Sequence, residues 1–170
     1  MHFSLKYRLD SKRLSTGNLS KPRIFSVFGA MLLSAAMLMA AGAATNAPQF
    51  TSVVDGSPLE IKPLAGETIT DAVKAFYANG ENPYKSDPAA IADGKKIYLA
   101  NCQACHMPDG SGRIGPSLIG DTHNYDRFTT DKGIFEIVYG GATGAMQPFG
   151  KRLTQDDVLR VTAYVRTLKK

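Results

Sequence analysis

Five consecutive residues constrain this chain more than any others: Cys102-Gln103-Ala104-Cys105-His106. The spacing is C-x-x-C-H, the pattern of a c-type haem attachment site. The two thiols add across the two vinyl groups of a porphyrin. The two-residue gap suits a helical turn that brings both sulfurs to one edge of the ring, and His106 follows as the proximal iron ligand. A zinc half-site or a redox disulfide would use the same two cysteines. Zinc needs further Cys or His ligands at suitable spacing, and the chain holds only these two cysteines. A thioredoxin-like disulfide needs a βαβ context, and the sequence has no such pattern. One covalent haem c is therefore the expected cofactor, and the fold must build a pocket for it.

The second axial position needs a side chain well beyond the motif. Outside the N-terminal leader the candidates are Met107, Met146 and His123. Met107 adjoins the proximal histidine and cannot cross to the other face. Met146 sits in Gly144-Ala145-Met146-Gln147-Pro148, where small residues permit close backbone approach and Pro148 fixes the following turn. That setting suits a ligand better than a core gap-filler. His123 lies in the polar stretch Asp121-Thr122-His123-Asn124 and reads as a solvated histidine. His106 and Met146 are thus the expected metal ligands. Such a pair leaves no open iron position and raises the reduction potential relative to two histidines.

Charge is concentrated at the N-terminus. The formal net charge is +5, and Lys6, Arg8, Lys12, Arg13, Lys21 and Arg23 against Asp10 account for all of it. From Ile24 onward 14 basic residues face 14 acidic ones. The basic segment precedes an apolar run, Ile24 to Ala41, and the small-residue site Ala41-Gly42-Ala43-Ala44. These are the three parts of a secretory signal, expected over residues 1–44 with cleavage after Ala43 or Ala44. The apolar run is long enough that an uncleaved membrane anchor is the alternative. Export to the periplasm agrees with covalent haem attachment. The balanced remainder gives no reason to expect nucleic acid, and one arginine with two rings near residue 127 is too little to suggest it.

About 125 residues remain, enough for one domain. Residues 45–69 contain Pro48, Gly56, Pro58, Pro63 and Gly66 and read as an extended arm covering a helical domain over 70–170. Thr70 to Asn79 reads as a helix capped by Thr70 and ended by Gly80. Asp87-Pro88 begins a second, with apolar Ile91, Ile97 and Tyr98, that delivers the chain into the motif. Gly94 in mid-helix costs about 1 kcal/mol against alanine, which points to close approach of another helix. Thr130 to Tyr139 forms a further helix. A last one follows the capping box Thr154-Gln155-Asp156-Asp157 and buries Val158, Val161, Val165 and Leu168. Pro116 and Leu118 fall in the turn-rich loop after His106. The Pro116 carbonyl can accept from the second imidazole nitrogen, and Ile114 and Leu118 can line the haem pocket. Tyr125, Phe128 and Arg127 are expected to wall the haem, with Arg127 against a propionate.

Together Gly94, Tyr98, Cys102 to His106, Gly115-Pro116-Ser117-Leu118, Met146 and Tyr164 resemble the class I cytochrome c pattern. The resemblance implies an all-α fold, a small helical bundle around one covalently bound haem. It places Gly94 and Tyr164 at a helix crossing, Pro116 behind His106 and Met146 on the iron. A narrower resemblance is to cytochrome c(L), the periplasmic electron acceptor of PQQ-dependent methanol dehydrogenases. It is carried by Asp71 to Phe76, Gly80-Glu81-Asn82-Pro83-Tyr84, Asp131 to Glu136 and Gly140 to Met146. It implies a carrier, not an enzyme, taking electrons from a PQQ-dependent alcohol (methanol) dehydrogenase and passing them to another cytochrome c or a terminal oxidase. The alternative is a haem c subunit, or a carrier for a different periplasmic dehydrogenase or oxidase. Partner contact is expected through Met107, Ala142, Ala145 and Phe149, with Lys151 and Arg152 at the rim.

Overall fold

The computed structural model describes residues 47–120 and 123–168. The leader and its expected cleavage site lie outside the described residues. Among the described residues five α-helices form and no strand does, apart from a single antiparallel bridge between Thr51 and Pro58. No described helix is long and apolar enough to cross a membrane.

Helix α1 spans Asp71–Asn79. The Thr70 hydroxyl accepts from the Val73 amide, and left-handed Gly80 closes the other end by donating to the Phe76 carbonyl. A short 3-10 turn, Pro83–Ser86, follows where the sequence indicated only a turn. Buried Asn82 holds it in place, with its side-chain amide donating to the Leu159 carbonyl at 2.7 Å. Helix α2 spans Pro88–Asn101 and is capped by Asp87, which accepts from the Ala89 and Ala90 amides.

The buried face of α2 is Ala90, Gly94 and Tyr98, four residues apart; Ile91 and Ile97, expected at the core, are only half-buried. Close helix approach explains the difference, because the smallest side chains take the crossing and the branched ones flank it. The partner is α5, Gln155–Thr167, which starts with the anticipated capping box. A methyl group on Gly94 would overlap the Arg160 carbonyl and come within 3.1 Å of Tyr164 Cβ. One turn on, the Tyr98 and Tyr164 rings meet edge to face at 5.2 Å.

Helix α3 is the single turn Gln103–His106. Helix α4, Asp131–Gly140, is capped by Thr130 and buries seven consecutive residues, Gly133 to Tyr139. A helix buried all round needs cover on every side. Residues 47–69 supply part of it. The Phe50 ring lies 5.5, 5.4 and 5.7 Å from the rings of Phe76, Tyr77 and Phe135. Buried Glu136 accepts from the Thr51 amide at 2.7 Å and pairs with Lys132 at 2.5 Å and Arg127 at 3.0 Å.

A second polar cluster joins α1, the 3-10 turn, α2 and α5. Asp156 accepts from the hydroxyls of Thr70 and Tyr84, each at 2.7 Å, and from Arg160 Nε at 2.7 Å. Arg160 also reaches Asp93. Burial pushes the Asp156 carboxyl up, but hydrogen bonds from Arg160, Thr70 and Tyr84 outweigh it and leave a net lowering.

Two predictions follow from this packing. Gly94→Ala should destabilise the fold by about 2 kcal/mol or more, an overpacking cost that backbone shifts only partly relieve, read as a lowered urea midpoint. A lowered carboxyl stabilises fully above its unfolded pKa of about 3.9, and that contribution is lost as pH falls through the folded value. Stability of the native chain should therefore fall more steeply below about pH 4 than that of Asp156→Asn. Parallel acid limbs in urea titrations would show that Asp156 contributes none of the slope.

Candidate haem site

Helix α2 hands the chain directly to the motif. The Cys102 amide donates to the Tyr98 carbonyl at 2.8 Å, and the amides of Cys105 and His106 donate back to the Cys102 carbonyl. The turn ends at Met107, whose φ of 64° is the only positive value among described non-glycine residues. Such a conformation costs about 1–3 kcal/mol and persists only where neighbours impose it. Here the Tyr98 hydroxyl donates to the Met107 carbonyl at 2.8 Å, and the Met107 amide donates to Gln103 at 2.9 Å. Burial raises the Tyr98 phenol well above its ordinary range, so it stays protonated as the donor.

The loop after Met107 folds back over the turn. The amides of Arg113 and Gly115 both donate to the Cys105 carbonyl, and Gly112 donates to that of His106. This brings Gly115 against the imidazole: a methyl group there would lie 2.6 Å from His106 Cε1. It also sets His106 Nδ1 2.9 Å from the Pro116 carbonyl. A carbonyl only accepts, so Nδ1 carries a proton, and in the neutral ring this leaves the lone pair on Nε2. His106 itself is buried.

These residues border a cavity of about 440 Å³. Cys102, Cys105, His106, Pro116, Leu118 and Met146 all line it, so one space gathers the six residues expected to bind the cofactor. Ile114 lines it too but is 66% exposed, which places it at the mouth. The remaining wall includes Ile134, Ile137 and Val138 of α4 and Val161 and Val165 of α5. Among the described lining residues Arg152 is the only lysine, arginine or carboxylate.

Met146 is carried by the loop after α4. Gly141 has φ 77° and ψ −178°, a combination open essentially to glycine alone. A methyl group there would lie 2.8 Å from both the Met146 carbonyl and the Pro148 nitrogen. The Met146 carbonyl accepts from the Ala142 amide at 3.1 Å, closing the loop.

Three expectations need correction. Arg127 does not face the cavity; it bonds to Glu136 and to the carbonyl and hydroxyl of Thr51. The buried Glu136 carboxylate attracts it more than a site elsewhere would, and Arg152 occupies the cavity wall instead. Phe149 is 8% exposed and lines the cavity, so it cannot present a face to a partner. Its amide is tied to the Val138 carbonyl, and the Arg152 guanidinium covers its ring at 5.1 Å. His123 is half-buried on the cavity wall, its ring 4.2 Å from that of Phe128.

The family model described as cytochrome C oxidase, cbb3-type, subunit III matches residues 89–165. Cytochrome c-L of Methylorubrum extorquens is 35% identical over 120 residues, 70% of this chain and 61% of the relative. The crystal structure of cytochrome cL from Methylophaga aminisulfidivorans MPT, a marine methylotroph, superposes with a TM-score of 0.69 at 36% identity. That match covers 71% of this chain and 80% of that one. Cytochrome cL from Hyphomicrobium denitrificans gives a TM-score of 0.67 at 36% identity, with 73% and 75% covered. The chain is a class I c-type cytochrome of the cytochrome cL family. Cytochromes of this class bind covalent haem c and are electron-transfer proteins rather than enzymes, and one such domain takes one haem. The chain spans 61% of the length of the Methylorubrum relative, so what the whole relative does is not transferred with the fold.

The residues present fit that cofactor. An apolar cavity of this size is within the usual range for a cofactor site. Both thiols are half-buried on its wall, and burial pushes the Cys102 thiol up to about 11, opposite to the lowered value of a redox-active cysteine. Gly115 is predicted to matter through its missing methyl group. Gly115→Ala should tilt the imidazole off Pro116, seen by NMR as loss of the hydrogen-bonded Nδ1 proton signal of His106. Retention of that signal would show that the loop, not the ring, gives way.

Proposed function

We propose that this cytochrome is a periplasmic single-haem electron carrier. It accepts electrons from a PQQ-dependent alcohol (methanol) dehydrogenase and passes them to another cytochrome c or a terminal oxidase. The observation that carries the reading is the gathering of Cys102, Cys105 and His106 with Met146, forty residues further on, around one apolar cavity. In this reading Cys102 and Cys105 would hold the haem by thioether bonds, and His106 Nε2 and Met146 Sδ would ligate its iron. The Pro116 carbonyl fixes the His106 ring, and Leu118 packs against the porphyrin. The leader, residues 1–44, directs export, residues 45–69 form the covering arm, and residues 70–170 are the cytochrome domain.

Bound haem supplies a one-electron couple at its iron. The chain's contribution is to hold both axial groups in place and to exclude water. With His106 and Met146 both holding the iron, no position would be left for oxygen or peroxide chemistry. His106 is fixed before any electron arrives, because its Nδ1 proton is already engaged. The apolar wall keeps the surroundings of the iron nearly constant between oxidation states, which suits fast transfer. Ile114 and Ala145 are exposed beside the cavity and, with half-buried Ala142, give a weakly charged surface for brief docking. Interfaces of that kind are small, below about 1,200 Å² in total.

The choice of donor rests on the similarity to cytochrome c-L over 70% of the chain. A second reading, a haem c subunit of a larger oxidase or dehydrogenase, is favoured by the match of residues 89–165 to a subunit of a cbb3-type oxidase. One experiment separates them. The oxidised holoprotein is mixed with a PQQ methanol dehydrogenase and methanol, and haem reduction is followed by absorbance. Methanol-dependent reduction, with the cytochrome purifying alone, is expected. A haem that only a chemical reductant reduces, on a chain that co-purifies with other subunits, would favour the second reading.

A further inference from the structure

Helix α4 stands between the cavity and the N-terminal arm. Ile134, Ile137 and Val138 face the cavity, whereas Phe135, Glu136 and Tyr139 meet the arm. The last of these contacts lies where the Met146 loop both leaves and rejoins the helix. The Tyr139 hydroxyl donates to the Lys62 carbonyl at 3.0 Å and accepts from the Lys62 amide at 2.9 Å. The face of the same ring bears on Gly150, where a methyl group would come within 2.6 Å of the ring carbons. The Tyr139 carbonyl also accepts from the Gly150 amide at 3.0 Å. Leu59 of the arm packs on Gly140, and a methyl group there would sit 3.0 Å from a Leu59 methyl.

We propose that the arm is a positioning element for the sixth-ligand loop, acting through Tyr139. The loop from Gly141 to Phe149 is anchored at both ends on the last turn of α4, at Gly141 and through Phe149 and Gly150. The Tyr139 side chain touches both the arm and the returning end of that loop. Its two hydrogen bonds to a single arm residue fix its ring, and the ring sets how closely residues 148–150 approach α4. The arm therefore restrains Met146 without touching the cavity. This inference rests on the reading of Met146 as an axial ligand.

The test uses the oxidised, haem-loaded full chain and imidazole, which binds iron only when the protein ligand swings away. Tyr139→Phe keeps the ring but removes both bonds to Lys62. Each bond contributes modestly on its own, and losing the pair should tighten apparent imidazole binding about tenfold. The Met–iron charge-transfer band should weaken in parallel. Leu59→Ala should act in the same direction. Tyr84→Phe, which cuts a bond to Asp156 at the start of α5 and leaves both Tyr139–Lys62 bonds in place, serves as the control for general destabilisation. It should lower the urea midpoint but leave imidazole affinity unchanged. Native-like imidazole affinity in Tyr139→Phe, or an equal change in Tyr84→Phe, would overturn the proposal. If the native protein shows no Met–iron band and Met146→Ala leaves its spectrum unaltered, the ligand reading itself fails, and the proposal with it.

Discussion

The backbone contact between α2 and α5 at Gly94 is the constraint on which the rest depends. With no side chain at the crossing, the Arg160 carbonyl can approach α2 more closely than any other residue would allow. That separation fixes two of the helices that meet the cavity. Helix α2 ends in the cysteine pair, and α5 contributes Val161 and Val165 to the wall. The tyrosines one turn further on, Tyr98 and Tyr164, lock the rotation of the pair. Tyr98 then carries the constraint into the motif, since its hydroxyl holds the strained Met107 carbonyl at the end of α3. Helix crossing, histidine turn and proximal hydrogen bond thus form one chain of contacts.

Strain is placed on both sides of the cavity, and each instance has a local purpose. Met107 reverses the chain so that Gly112 to Pro116 can fold back over His106. Gly141 reverses it so that the Met146 carbonyl can accept from Ala142. Both turns are held by hydrogen bonds to helices that the core has already fixed. A small domain gains little freedom to spare for such turns, and a cofactor that fills the cavity removes the void that would otherwise weaken its core.

Helices and caps were legible in the sequence because the signals are local. Thr70, Asp87, Thr130 and Thr154 each cap the helix they precede. The histidine turn and its Pro116 partner were legible from spacing within a few residues. Long-range choices were not. Nothing in the sequence tells whether Arg127 or Arg152 reaches the cavity, because Glu136, which takes Arg127, gives no local sign of being buried. Phe149 sits in a run of polar and small residues and looks exposed, yet the return of the loop onto α4 buries it. In α2 the mid-helix glycine gave away the crossing at Gly94, but the apolar count pointed to the isoleucines, whereas the packing distance selected Ala90 beside it. The 3-10 turn at Asp126–Thr129 is set by tertiary contacts of Arg127 and Phe128, beyond any period in the sequence.

The buried cluster around Glu136 shows how charge is kept from the cavity. Taking a carboxylate out of water costs several kcal/mol, and attraction to its partners offsets this only with good geometry. Such a cluster is therefore weak evidence of added stability. Its placement is more informative. Arg127, Lys132 and the Thr51 amide all converge on the side of α4 turned toward the arm, while Ile134, Ile137 and Val138 keep the opposite side apolar. A helix with one apolar and one ionic face can be buried in only one rotation. The arm adds the Thr51 amide to the partners that the ionic face requires and also accepts from Arg127 at Thr51, and so it helps select which face of α4 is presented to the cavity. A chain that lost those partners would leave the Glu136 carboxylate to find water, and the nearest way to do so is to turn the helix whose other face is the cavity wall.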